Sequence, residues 1–91
     1  MCRSIRTLHN VAPPAREEEI AAAARQFARK LCGFARPSRA NEAAFERAVA
    51  EFTASAGTLL AALVTQAPPR DREVEAARAR ARRAARLATA G

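Results

Sequence analysis

The stretch Glu17–Phe34, EEEIAAAARQFARKLCGF, reads as one amphipathic helix with its stop signal attached. Ile20, Ala24, Phe27, Ala28 and Leu31 step by four, three, one and three, which puts them on one side of a 3.6-residue turn. Glu17, Glu18 and Glu19 open the segment, where carboxylates favour the positive end of the helix dipole. Arg29 and Lys30 close it, where cations belong. Gly33 suits the left-handed residue that ends a helix, and Phe34 is placed to fold back on the last turn. The pattern predicts a helix over 17–32.

Upstream, Pro13–Pro14 keeps the chain extended, so residues 1–14 form a short N-terminal arm. Ile5 and Leu8 fit either an extended strip packed on the core or a short turn capped by Ser4 and ended by Asn10. Downstream, the linker 33–39 has turn chemistry and carries Arg36 and Arg39. Ser38 or Asn41 is the expected cap of a second helix within 39–66. There Phe45, Val49, Phe52, Ala56, Leu59 or Leu60, and Leu63 form a near-heptad stripe. Unbroken, such a helix is roughly 39 Å long, more than a compact domain of this size needs. A bend near Ser55 and Gly57, or a protruding end paired with another chain, resolves the mismatch.

Pro68–Pro69 ends that helix, and Asp71 caps a third over 71–88. Val74, Ala77, Ala81, Ala84, Ala85 and Ala88 share a narrow face, while Arg78, Arg82, Arg83 and Arg86 cover a broad one. From Ala76 onward there are five arginines and no acid. A stripe made almost only of alanine packs weakly, so this helix is expected to fray or partly detach. The fold class is all-α: a small antiparallel three-helix assembly with a short N-terminal arm, in one domain over 1–91.

Composition bounds the function. Sixteen basic residues, fifteen of them arginine, oppose nine acidic ones for a net charge of +7. Such a field attracts polyanions, nucleic acid or an anionic membrane surface. A GC-rich genome accounts for arginine in place of lysine, but not for the excess of base over acid. The core is small and alanine-rich, so it closes only if helix axes approach closely or a second subunit covers the remainder. There is no Trp or Tyr, and all four Phe fit core or cap positions, which argues against an aromatic platform for single strands. No apolar run is long enough to span a membrane, and none follows the first residues as in a signal peptide. Cys2 and Cys32 make no disulfide framework, so reduced thiols and a cytoplasmic setting are expected.

The opening MCRSIRTL, the stretch RKLCGFARPSRANEAAF and the later APPRDREVEAA resemble an uncharacterised family of short basic bacterial proteins, domain of unknown function 2277. The resemblance covers nearly the whole chain. It implies a helical fold and a bacterial origin, and it implies no activity. Arg16 stands where members of the family tend to have a hydroxyl helix cap, and Cys32 where serine is common. The second departure weakens any shared role for that thiol.

Three constellations invite a chemical reading. Leu31–Ala35 with Arg36, Ser38, Arg39 and Ala40 resembles a helix–hairpin–helix element, whose turn points backbone amides at a phosphate. Ala35 replaces the second turn glycine and the turn is a residue too long, so a well-capped loop is the plainer reading. Arg78, Arg80, Arg82, Arg83 and Arg86 line a face able to follow a phosphate backbone, with Arg25, Arg29 and Lys30 as an extension. Its plain reading is a solvated helical face. Cys2 beside Arg3 is a candidate reactive thiol if the initiator Met is removed. Cys2, His9 and Cys32 match no metal spacing and lack a fourth ligand. No catalytic arrangement is built around His9, the only histidine, and the acids read as helix-terminal or solubilising charge, Glu42, Glu46 and Glu51 among them. The sequence thus points away from an enzyme, and toward no cofactor. It favours a basic module contacting nucleic acid through Arg36, Arg39, Arg78, Arg82, Arg83 and Arg86. A helical protein-interaction or homodimerisation role is the alternative, and a thiol role for Cys2 a third.

Overall fold

The computed structural model describes residues 5–90 and is mostly helical. The helices are α1 (Glu17–Cys32), α2 (Glu42–Ala62, preceded by a 3-10 turn at Arg39–Asn41) and α3 (Arg72–Ala90). Two two-residue strands, β1 (Val11–Ala12) and β2 (Arg70–Asp71), pair in parallel with Val11 opposite Arg70 and Ala12 opposite Asp71. No helix among the described residues is long and apolar enough to cross a membrane.

Helix α1 stops as its sequence dictates. Gly33 adopts φ +79° and its N–H donates to the Arg29 carbonyl at 2.8 Å, closing the last turn. Its start is capped from one side only: the Glu19 carboxylate accepts from the Arg16 N–H at 3.0 Å, and the Arg16 side chain has no acceptor with which to reciprocate. Phe34 packs across the hairpin against Phe45 of α2, with ring centroids 5.8 Å apart.

Helix α2 departs from the expectation at both ends. Neither Ser38 nor Asn41 caps it through a side chain; they bond each other, Asn41 Nδ2 donating to Ser38 Oγ at 3.0 Å. The helix then ends at Ala62, four residues short of the expected limit at Gln66, because Leu63 turns extended at ψ 140°. Val64 and Thr65 are β-branched, and the Thr65 hydroxyl accepts from the Ala67 N–H at 3.0 Å, a local turn that competes with helix. At 21 residues, α2 is about 31 Å long. It runs unbroken through Ser55 and Gly57.

Helices α1 and α2 lie antiparallel. Phe34 meets Phe45 at one end, and at the other Glu17 and Ile20 share a surface depression with Gly57 and Thr58. Among the described residues only Ala24, Ala28, Phe45 and Val49 are buried, with Phe34 and Phe52 packed against them. The two alanines let α2 approach closely, and the area they bury is small.

The expected helical character holds apart from the short strand pair, and α3 is joined to the α1–α2 hairpin chiefly at its start. Asp71 Oδ1 accepts from the N–H groups of Glu73 and Val74 at 2.8 and 3.2 Å, the cap the sequence predicts. The arm supplies the rest. Asn10, at φ +53°, accepts from the Arg70 N–H at 2.8 Å, and its Nδ2 donates to the carbonyls of Ala67 and Pro68. Asparagine tolerates that left-handed backbone better than most side chains. Residues 5–8 form no helix, and Ser4, the expected cap of a turn there, lies outside the described residues. The arm is extended at residues 11–12, just ahead of a cis Ala12–Pro13 bond. From Ala77 to Thr89 every residue of α3 is exposed, as a face of alanine predicts.

The resulting molecule is open and flat, 47 × 40 × 18 Å. Its radius of gyration, 16.4 Å, compares with about 12 Å for a compact domain of this length. The accessible surface is 7621 Å², against about 5,200 Å² for an ordinary folded monomer of the same mass.

Candidate functional site

Two side-chain pairs fix the geometry on which any site depends. Across the α1–α2 groove, Arg25 donates from Nη1 and Nη2 to the two Glu46 oxygens at 2.7 and 2.6 Å, a bidentate fork. The Arg25 guanidinium also lies over the Phe45 ring, 5.7 Å from its centroid. The hydrogen bonds from Arg25 hold the Glu46 carboxyl below the usual range, with desolvation opposing. Glu46 is therefore more than solubilising charge, and Arg25 is not free to extend a polyanion surface. The sequence missed this pair because its members lie 21 residues apart.

The second pair joins α3 to α1. Arg72 Nη1 donates to Glu19 Oε2 at 2.6 Å, while Glu19 Oε1 holds the Arg16 amide. Arg72, then the Arg16 N–H, pull the Glu19 carboxyl below its ordinary range. The Nε and Nη2 of Arg72 are covered and have no hydrogen-bond partner among the described residues. Glu19 alone compensates that cation there. A carboxylate read as a helix-dipole charge is thus the pin of the three-element junction.

The predicted arginines fall into two groups. Arg78, Arg82, Arg83 and Arg86, with Arg80, stand on α3, exposed and without an ion-pair partner among the described residues. Arg78, Arg82 and Arg86 share one face, stepping about 6 Å along the axis. Arg36 and Arg39 lie in the α1–α2 linker, also exposed. Because α3 departs from beside Glu19, at the first turn of α1, its root and the linker lie at opposite ends of that helix, about 24 Å apart.

The linker itself shows little of a phosphate clamp. The Gly33 amide is spent on Arg29 and the Asn41 amide on the Ser38 carbonyl. Beside it, Arg25, Arg29 and Arg36 line an open depression, but Glu42 and Glu46 line it as well and offset their charge. Cys2 lies outside the described residues. Cys32 is an exposed free thiol at the far end of α1 from the junction. His9 is on the arm next to Asn10, which binds the chain leading into α3, so the structure separates it from Cys32. Among the described residues no group of three or more His, Cys, Asp or Glu is arranged to hold a metal ion.

No curated protein and no solved structure matches this chain. A family model described as an uncharacterized conserved protein, DUF2277, matches residues 1–78. Arg80, Arg82, Arg83 and Arg86 fall beyond the matched stretch. Since the match takes in the arm, α1, α2 and the junction with α3, the chain belongs to the DUF2277 family.

Proposed function

We propose that this chain is a cytoplasmic polyanion-binding module that contacts nucleic acid through the arginines of α3, with Arg36 and Arg39 as a separate second contact. One observation carries the reading: beyond Ala76, α3 is exposed on every side and bears five arginines and no acid. A helix held away from its own core offers its whole circumference to a ligand, and guanidinium groups suit phosphate oxygens. Affinity then comes from release of the counterions condensed on the nucleic acid. Without aromatic side chains on this helix, contacts go to the backbone and carry no base readout.

The test is a fluorescence anisotropy titration of labelled duplex DNA and of duplex RNA at about 50 mM salt, where a +7 chain binds if it binds at all. Saturable binding to either supports the proposal. Absence of binding to both overturns it.

The second reading, a helical interaction protein whose charge only keeps it in solution, draws on the large exposed apolar side chains Phe27, Leu31, Leu59 and Leu63. A closed antiparallel three-helix packing, with α3 folded back over part of that surface, is its single-chain form.

A further inference from the structure

The α1–α2 hairpin has two unlike flanks. One holds the Arg25–Glu46 fork, with Arg29 and Glu42 beside it. On the other, Phe27 meets Phe52 edge-on with ring centroids 5.2 Å apart, yet Phe27 remains 45% exposed. Along α2 this second flank continues as Ala48, Phe52, Ser55, Leu59 and Ala62, spaced four, three, four and three. That is the heptad seam of a helix with a partner. It runs beside the inward residues Phe45 and Val49, which α1 already covers. Ala23, Phe27 and Leu31 carry the same flank along α1 at intervals of four. Leu31 and Leu59 are 64% and 59% exposed. None of these positions is charged, on a chain in which more than a quarter of residues are.

We infer that a second copy of this chain covers the flank, the two hairpins packing face to face as a four-helix bundle. Two observations select a second copy over another occupant. The strip is self-complementary: on α2 large Phe52 and Leu59 alternate with small Ala48, Ser55 and Ala62, and on α1 Ala23 precedes Phe27 and Leu31, so knobs and holes share one surface, as a two-fold interface requires. The charge also fits, because two +7 chains meet best where neither carries charge, and an acidic partner would seek the arginines elsewhere.

The experiment is sedimentation equilibrium of the full chain, run with a reductant because the Cys32 thiol is exposed. At about 50 μM the expected mass is twice 9.8 kDa, and association strengthens as salt screens the repulsion. Leu59→Arg and Ala48→Arg should each raise the dissociation constant at least about a hundredfold, since every substitution enters a two-fold interface twice. Circular dichroism checks that helix content is unchanged. Ala54→Arg, on the flank that faces Glu17 and Ala21, should move the constant less than about threefold. A monomer at about 100 μM, a larger oligomer, or a dimer that resists both seam substitutions overturns the inference. If a seam arginine unfolds the hairpin, the mass of the unaltered chain still decides.

Discussion

Neutralising Arg78, Arg82 and Arg86 together, each to Gln, tests the role assigned to α3 most directly. Glutamine is polar and uncharged and has a helix propensity close to that of arginine, and all three positions are exposed and lie off the alanine face, so the fold should survive. With its five arginines engaged on duplex DNA, α3 should contribute about −4.5 to the slope of log affinity against log salt. A fourfold rise in salt, from about 50 to 200 mM, then weakens binding about 500-fold through α3 alone. The triple variant keeps Arg80 and Arg83, so this contribution should drop to about −1.8 and its share of the loss to about 12-fold. Anisotropy over a salt series measures both slopes, with circular dichroism confirming helix content. An unchanged slope in a folded variant would refute the assignment of binding to α3.

Other expectations follow from the same structure. Changing Arg36 and Arg39 to Gln should flatten the slope by at most about 1.8, additively with the triple variant, since linker and α3 root lie at opposite ends of α1. A loss well beyond additive would mean that both groups grip the same phosphates. The carboxyls of Glu19 and Glu46 titrate below their ordinary range when folded. Their stabilisation is thus present above about pH 4.3 and is lost as pH falls through the lower folded value. The melting-temperature gap between the protein and Glu19→Gln should therefore be widest above about pH 5 and shrink toward pH 3; a gap constant over that range would contradict the ion pair with Arg72. Gly33→Ala places a Cβ in open space but forces a left-handed backbone on alanine. Thermal or denaturant unfolding should register a loss of about 1 kcal/mol, and no loss would mean that α1 ends differently.

What the sequence revealed was local. Helix α1 was legible from Glu17 to Gly33 because its stripe, dipole charges and stop residue all fall within one segment, and Asp71 was legible as a cap for the same reason. The end of α2 was not, because the apolar period runs on to Leu63 while Thr65 diverts the backbone. The Glu19–Arg72 bond spans 53 residues, and a carboxylate that already has a local explanation gives no hint of a distant one. Two-residue strands are too short to show any period, so the β1–β2 pair left only Asn10 and the prolines as traces. The arginine positions could be read directly; that the linker and the root of α3 lie at opposite ends of α1 could not.

The junction at Glu19 has a mechanical consequence. Helix α3 has 19 residues and is about 28 Å long, and it is fastened near its root by the Asp71 cap, the strand pair and the Arg72 ion pair. It is a lever on one pivot. A swing of about 10° at that pivot carries the tip about 5 Å, close to the pitch of one helical turn. Such a lever can follow a curved or irregular surface while the hairpin stays rigid. The work of each swing falls on a handful of hydrogen bonds at the root, and the packed residues between α1 and α2 are spared it.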